Sequence, residues 1–167
     1  MFAINDYDII IKKFEELADE KYKKFRENLV PGTTVGYGIR VSEIRDISKE
    51  IIKNDPEGFL KVCRDGSYEE TLLEGIVIAT MKTDIDTRIA NTKTYIDKID
   101  NWGICDSVAS SYKIKKTEIS EWWNYILTLT NDQREFYVRF STVMMMFHFI
   151  KEDYIDQGLQ ELLHITH

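Results

Sequence analysis

Helix-start signals recur at short intervals along this chain, and between them the apolar residues fall three and four apart. That pattern leaves little room for anything except short helices. Asn5 or Asp6 can cap a first helix with Ile10, Phe14, Leu17 and Ala18 on one side, running with a break as far as Asn28. Pro31 and Gly32 stop it, and "VPGTTVGYG" reads as a loop. The spacing of Ile44, Ile47, Ile51 and Ile52 predicts a helix over 41–54, and Asp55-Pro56 then caps a short one reaching about Arg64. "SYEE" from Ser67 fits a capping box that opens "TLLEGIVIATMK". Asp84 starts a helix to about Ile99. Another spans about Asn101 to Lys115, with Trp102, Ile104, Cys105, Val108 and Ala109 apolar. Thr117 can cap "EISEWWNYILTL", "DQRE" from Asp132 is a second capping box, and a last helix covers about Glu152 to Leu163.

This is an all-α reading of about nine helices with no convincing strand. Only 2 prolines and 8 glycines in 167 residues agree with it, because both residue types break helices. Helices this short need neighbours to cover their apolar faces. The expected architecture is an α-solenoid of HEAT-like antiparallel helix pairs, forming a single domain over 1–167. A globular helical bundle is the alternative, since the repeats are too degenerate to decide.

Composition excludes some classes. No apolar run approaches a membrane span, and "MFAINDYDII" lacks the basic flank of a secretory signal. Two isolated cysteines, Cys63 and Cys105, predict buried free thiols and a cytoplasmic location, and their spacing makes no metal site. The net charge of -7 opposes nucleic-acid binding, but it is unevenly spread. Residues 118–167 hold 3 Lys and Arg against 8 Asp and Glu, whereas the first 117 residues are close to balance.

Asp106 stands out, because a carboxylate in an apolar run is costly unless paired. Trp102 lies one turn before it and shares its face. Arg139 interrupts the apolar "FYVRFSTVMMMFHFI" and also needs a partner. These three form the candidate site if Asp106 and Arg139 sit on adjacent helices. A structural ion pair with a packed Trp102 is the more common case, and spacing alone favours it. His148 reads as a packed histidine, His164 and His167 as terminal, and Met144, Met145 and Met146 as core. Of the adjacent Trp122 and Trp123, one is expected in the core and one near a surface. Lys113, Lys115 and Lys116 read as a solvated helix end able to contact phosphate. Lys12, Lys13, Lys21, Lys23, Lys24 and Arg26 are the other basic set. No His/Cys/Glu metal cluster and no phosphate-cradling glycine loop is present in the sequence.

Four pieces, "GIRVSEIRDISKEI" (38–51), "YEETLLEGIVIA" (68–79), "IDNWGICDS" (99–107) and "EFYVRFSTVMMM" (135–146), occur in an order that resembles the HEAT-like-repeat DNA alkylation repair proteins, the AlkD-like alkylpurine DNA glycosylases. Ser42 stands where family members often have Pro. The resemblance implies an all-α solenoid that holds duplex DNA and excises cationic N3- and N7-alkylated purines, without metal or cofactor. It implies that Trp102 and Asp106 are the family's active-site Trp and Asp, and that Arg139 is its Arg on a following helix. The family usually continues with more repeats, so a chain truncated at its C-terminus is also expected. Two rival readings are a non-catalytic HEAT-like paralogue with weak DNA binding and a protein-interaction scaffold.

Overall fold

The computed structural model describes residues 4–30, 36–151 and 153–165, and every regular element in them is helical. The elements are α1 (Ile4–Leu17), α2 (Glu20–Leu29), α3 (Val41–Asn54), α4 (Pro56–Val62), α5 (Tyr68–Thr80), α6 (Ile85–Ile96), α7 (Trp102–Ala109), a 3-10 turn (Lys116–Glu118), α8 (Ile119–Leu127), α9 (Glu135–His148) and α10 (Ile155–Leu163). Among the described residues there are thus ten α-helices. The first predicted helix is two, divided where Asp19 caps α2 by accepting from the Tyr22 amide. None of these helices is long and apolar enough to cross a membrane. The predicted stop at Pro31 and Gly32, the start at Glu152 and the terminal His167 lie outside the described residues. The chain divides into two compact units, residues 1–82 and 83–167.

In the first unit α3 packs on α5, and α4 packs on both α1 and α3. Ile44, Ile47 and Ile51 of α3 and Leu72, Leu73 and Ile76 of α5 are buried in the core, while Ile52 is only half-buried. Tyr7, Ile10 and Phe14 are the buried stripe of α1, and Ala18 is exposed beyond its end. Ser67 caps α5 by accepting from the Glu70 amide. The Glu70 carboxylate is drawn to the Tyr7 hydroxyl at 2.9 Å.

Helix α5 is buried almost all round, so its acids need partners. Glu69, fully buried, accepts from the amides of Tyr37, Gly38 and Ile39 and from Arg26 at 3.1 Å. It thereby pins the segment entering α3. That close approach excludes side chains: a Cβ at Gly36 overlaps the Glu69 carboxylate, and Gly38 has φ +82°. Arg26 is therefore not part of an exposed basic set. Lys13 and Lys24 of that set pair with Glu50 and Glu20.

In the second unit α9 packs on α7, α8 and α6, and α6 also packs on α8. Trp122, Tyr112 and Phe140 form a buried aromatic cluster. Trp123 is buried as well, against the expectation that one of the two tryptophans would lie near a surface. Phe149 and Tyr154 pack on it, its indole donates to Gln157, and Gly158 of α10 lies against it. Met144 and Met145 are core, but Met146 is exposed. The caps of the later helices differ from the sequence reading. Thr117 lies inside the 3-10 turn, and α8 starts after Glu118. Asp132 makes no capping box: it accepts from the Arg134 amide and guanidinium, and α9 starts after Arg134.

Removing one partner of a buried, fully bonded charge leaves the other uncompensated. Glu69→Ala is expected to lower the stability of the first unit by about 3–5 kcal/mol in urea denaturation. A loss below about 1 kcal/mol contradicts the pinning role.

Candidate active site

Asn101 fixes the start of α7: its side-chain oxygen accepts from the Ile104 amide, and it is itself buried. Trp102 follows as the first helical residue and is 43% exposed, large for a tryptophan among apolar neighbours. Ile104, Cys105, Val108 and Ala109 point inward, which turns Asp106 outward beside Trp102 along one face. Burial and the neighbouring Asp106 push the Cys105 thiol up to about 12. It is a packed thiol, whereas Cys63 is only half-buried; neither is in a disulfide.

Arg139 meets Asp106 in a two-pronged contact. Its Nε–H donates to Oδ1 at 2.8 Å and an Nη2–H donates to Oδ2 at 2.7 Å. This is the fork geometry that fixes a carboxylate in orientation as well as position. The side chains of Arg139 and Asp106 remain 40% and 34% exposed. The Asp106 bond holds the Arg139 guanidinium above its ordinary range. Each Asp106 oxygen keeps a second lone pair, and Arg139 keeps N–H groups for another acceptor. Beside Arg139 on the same stripe of α9 lies an open hollow of about 300 Å³, lined by Glu135, Thr142 and Met146 among others.

Two contacts absent from the sequence reading set where Arg139 stands. At the start of α9, Arg134 bonds both Asp132 and Asp97, lies over the Tyr137 ring at 3.4 Å, and shares Asp97 with the Tyr137 hydroxyl. At its end, His148 Nε2 bonds the Ala109 carbonyl at 2.9 Å, tying α9 to the last turn of α7. The only sequence signal for either was a polar residue at each edge of an apolar run.

The three lysines do not join this group. The helix predicted from Asn101 to Lys115 stops at Ala109. Ser110 and Ser111 bond back to the Ser107 carbonyl, and Tyr112 turns into the core to meet Thr92. Lys113 and Lys115 are exposed on the following segment and the exposed Lys116 opens the 3-10 turn, so none of the three ends a helix. The buried Arg88 donates to the Lys113 carbonyl, and Lys115 is paired with Glu118 at 2.7 Å. Among the described residues no group of three or more His, Cys, Asp and Glu could hold a metal.

The second unit is thus an all-helical scaffold presenting a guanidinium-forked carboxylate one turn from an exposed indole. A family model described as DNA alkylation repair enzyme matches residues 10–166, and the chain belongs to that family. Comparison with curated proteins and with solved structures gives no match.

Burial is the main cause that lowers the pKa of His148 below the ordinary histidine range. The unfolded chain therefore takes up a proton at a pH where the folded chain does not. The contribution is complete above about pH 6.5 and is lost as pH falls through the folded value. His148→Gln is expected to flatten the drop in stability between about pH 7 and 5. Parallel unfolding curves for the variant and the wild type across that range contradict it.

Proposed function

We propose that the chain is a DNA glycosylase that hydrolyses the N-glycosidic bond of cationic N3- or N7-alkylated purines in duplex DNA, acting in the cytoplasm. The observation that carries this reading is the forked, one-third-exposed Asp106 beside the exposed Trp102. A pair this exposed contributes only about 1 kcal/mol to stability, which is a weak reason to keep an acid in an apolar helix.

The chemistry suits these groups. An alkylated purine is already positively charged, so it leaves as a neutral base with the C1′–N bonding electrons, and no strong acid is needed. The sugar left behind is oxocarbenium-like. The Asp106 carboxylate stabilises that charge and orients a water whose oxygen bonds to C1′, its spare proton passing to solvent. Trp102 offers its π face to the cationic nucleotide. Arg139 keeps Asp106 in orientation while its remaining N–H groups donate to a backbone phosphate. Lys113 and Lys116 are candidate phosphate contacts, and Lys115 a weaker one because Glu118 already pairs with it.

The test is release of methylated purines from methylated duplex DNA by the wild type and by Asp106→Asn. The wild type is expected to release them and the variant to lose at least about 100-fold in rate, with its helicity and unfolding midpoint retained. An unchanged rate in a folded variant contradicts the role of Asp106, and no release by folded wild type contradicts the glycosylase reading.

A further inference from the structure

The α9–α10 face carries an apolar surface that meets the hollow beside Arg139 only at Met146. Trp123, Phe149 and Tyr154 form its floor in tilted and edge-on ring contacts, with centroids 5.1 to 5.5 Å apart. Between them and α10 lies an almost wholly apolar hollow of about 150 Å³. Its borders stay uncovered: Met146 is 54%, Ile150 63% and Leu159 55% exposed. Single exposed apolar residues are ordinary, but a contiguous group around a hollow marks a binding surface. Methionine and aromatic walls adapt to a helix laid across them.

Charge indicates which partner fits. Asp156 lies at i−3 from Leu159 and i−7 from Leu163, so it flanks the apolar stripe of α10. Asp153 precedes the helix and is also exposed, and Lys151 is the one cation at this edge among the described residues. Elsewhere in residues 118–167 the arginines are spoken for: Arg134 by Asp97 and Asp132, Arg139 by Asp106. The acidic border repels a DNA backbone and also a second copy presenting the same border. We infer that this face docks an amphipathic helix of a partner protein, with leucine-like anchors in the hollow and basic residues along its flanks.

The probe is a fluorescently labelled synthetic amphipathic helix of Leu and Lys, compared by anisotropy with a Leu and Glu helix bearing the same apolar face. The Leu/Lys helix is expected to bind at least about tenfold more tightly, a gap of about 1.4 kcal/mol. Leu159→Asp, an exposed substitution, is expected to weaken it by about tenfold or more, and Asp153→Lys with Asp156→Lys to invert the preference between the two helices. Equal binding of both helices, or unaltered binding to the folded Leu159→Asp chain, overturns the inference. So does sedimentation showing a wild-type dimer that Leu159→Asp makes monomeric, which assigns the face to a second copy.

Discussion

The fork between Arg139 and Asp106 is the contact on which the functional reading depends. Asp106 alone on α7 is a carboxylate with several rotamers and full hydration. Held by two N–H donors from a neighbouring helix, it has one orientation and a fixed distance to Trp102 on its own helix. A group that stabilises a developing cation gains most when it need not reorganise as the charge appears. The fork supplies that preorganisation without burying the acid.

The surroundings serve the placement of that fork. Arg134 anchors the first turn of α9 to Asp97 beside α6, and His148 anchors its last turn to the end of α7. Between these two ties α9 buries Val138, Phe140, Ser141, Val143, Met144 and Met145, so it has little freedom to slide. Position 139 faces α7 because the residues either side of it are committed to the core. In the first unit Glu69 does comparable work, with three backbone amides and Arg26 closing around one buried carboxylate. Both units therefore use a charged side chain to fix the entry to a helix.

Much of the fold was legible because caps and apolar spacing are local. Helix α3 spans Val41–Asn54 as its isoleucines predict, and Asp55 and Pro56 open α4. What was not legible depends on distant partners. The end of α7 is set by Ser110 and Ser111 turning back and by Tyr112 finding Thr92, twenty residues away, so the predicted helix to Lys115 was too long. Trp123 is covered by α10, which periodicity within α8 does not reveal. Arg26 read as one of a basic cluster because its partner lies 43 residues on. The candidate site was half legible. Trp102 and Asp106 shared a face by spacing, and Arg139 was conspicuous in an apolar run, but their meeting required the packing of α7 on α9.

The central claim is that Arg139 and Asp106 act as one unit in base release. Groups that act as a unit are not additive in mutant kinetics. The most direct measurement is a double-mutant cycle on the release of methylated purines, with Asp106→Asn, Arg139→Gln and the two combined. The double variant is expected to be no slower than the slower single variant, because the oriented carboxylate is already lost. Rate losses that multiply across the two substitutions contradict it, and leave the fork as a structural ion pair.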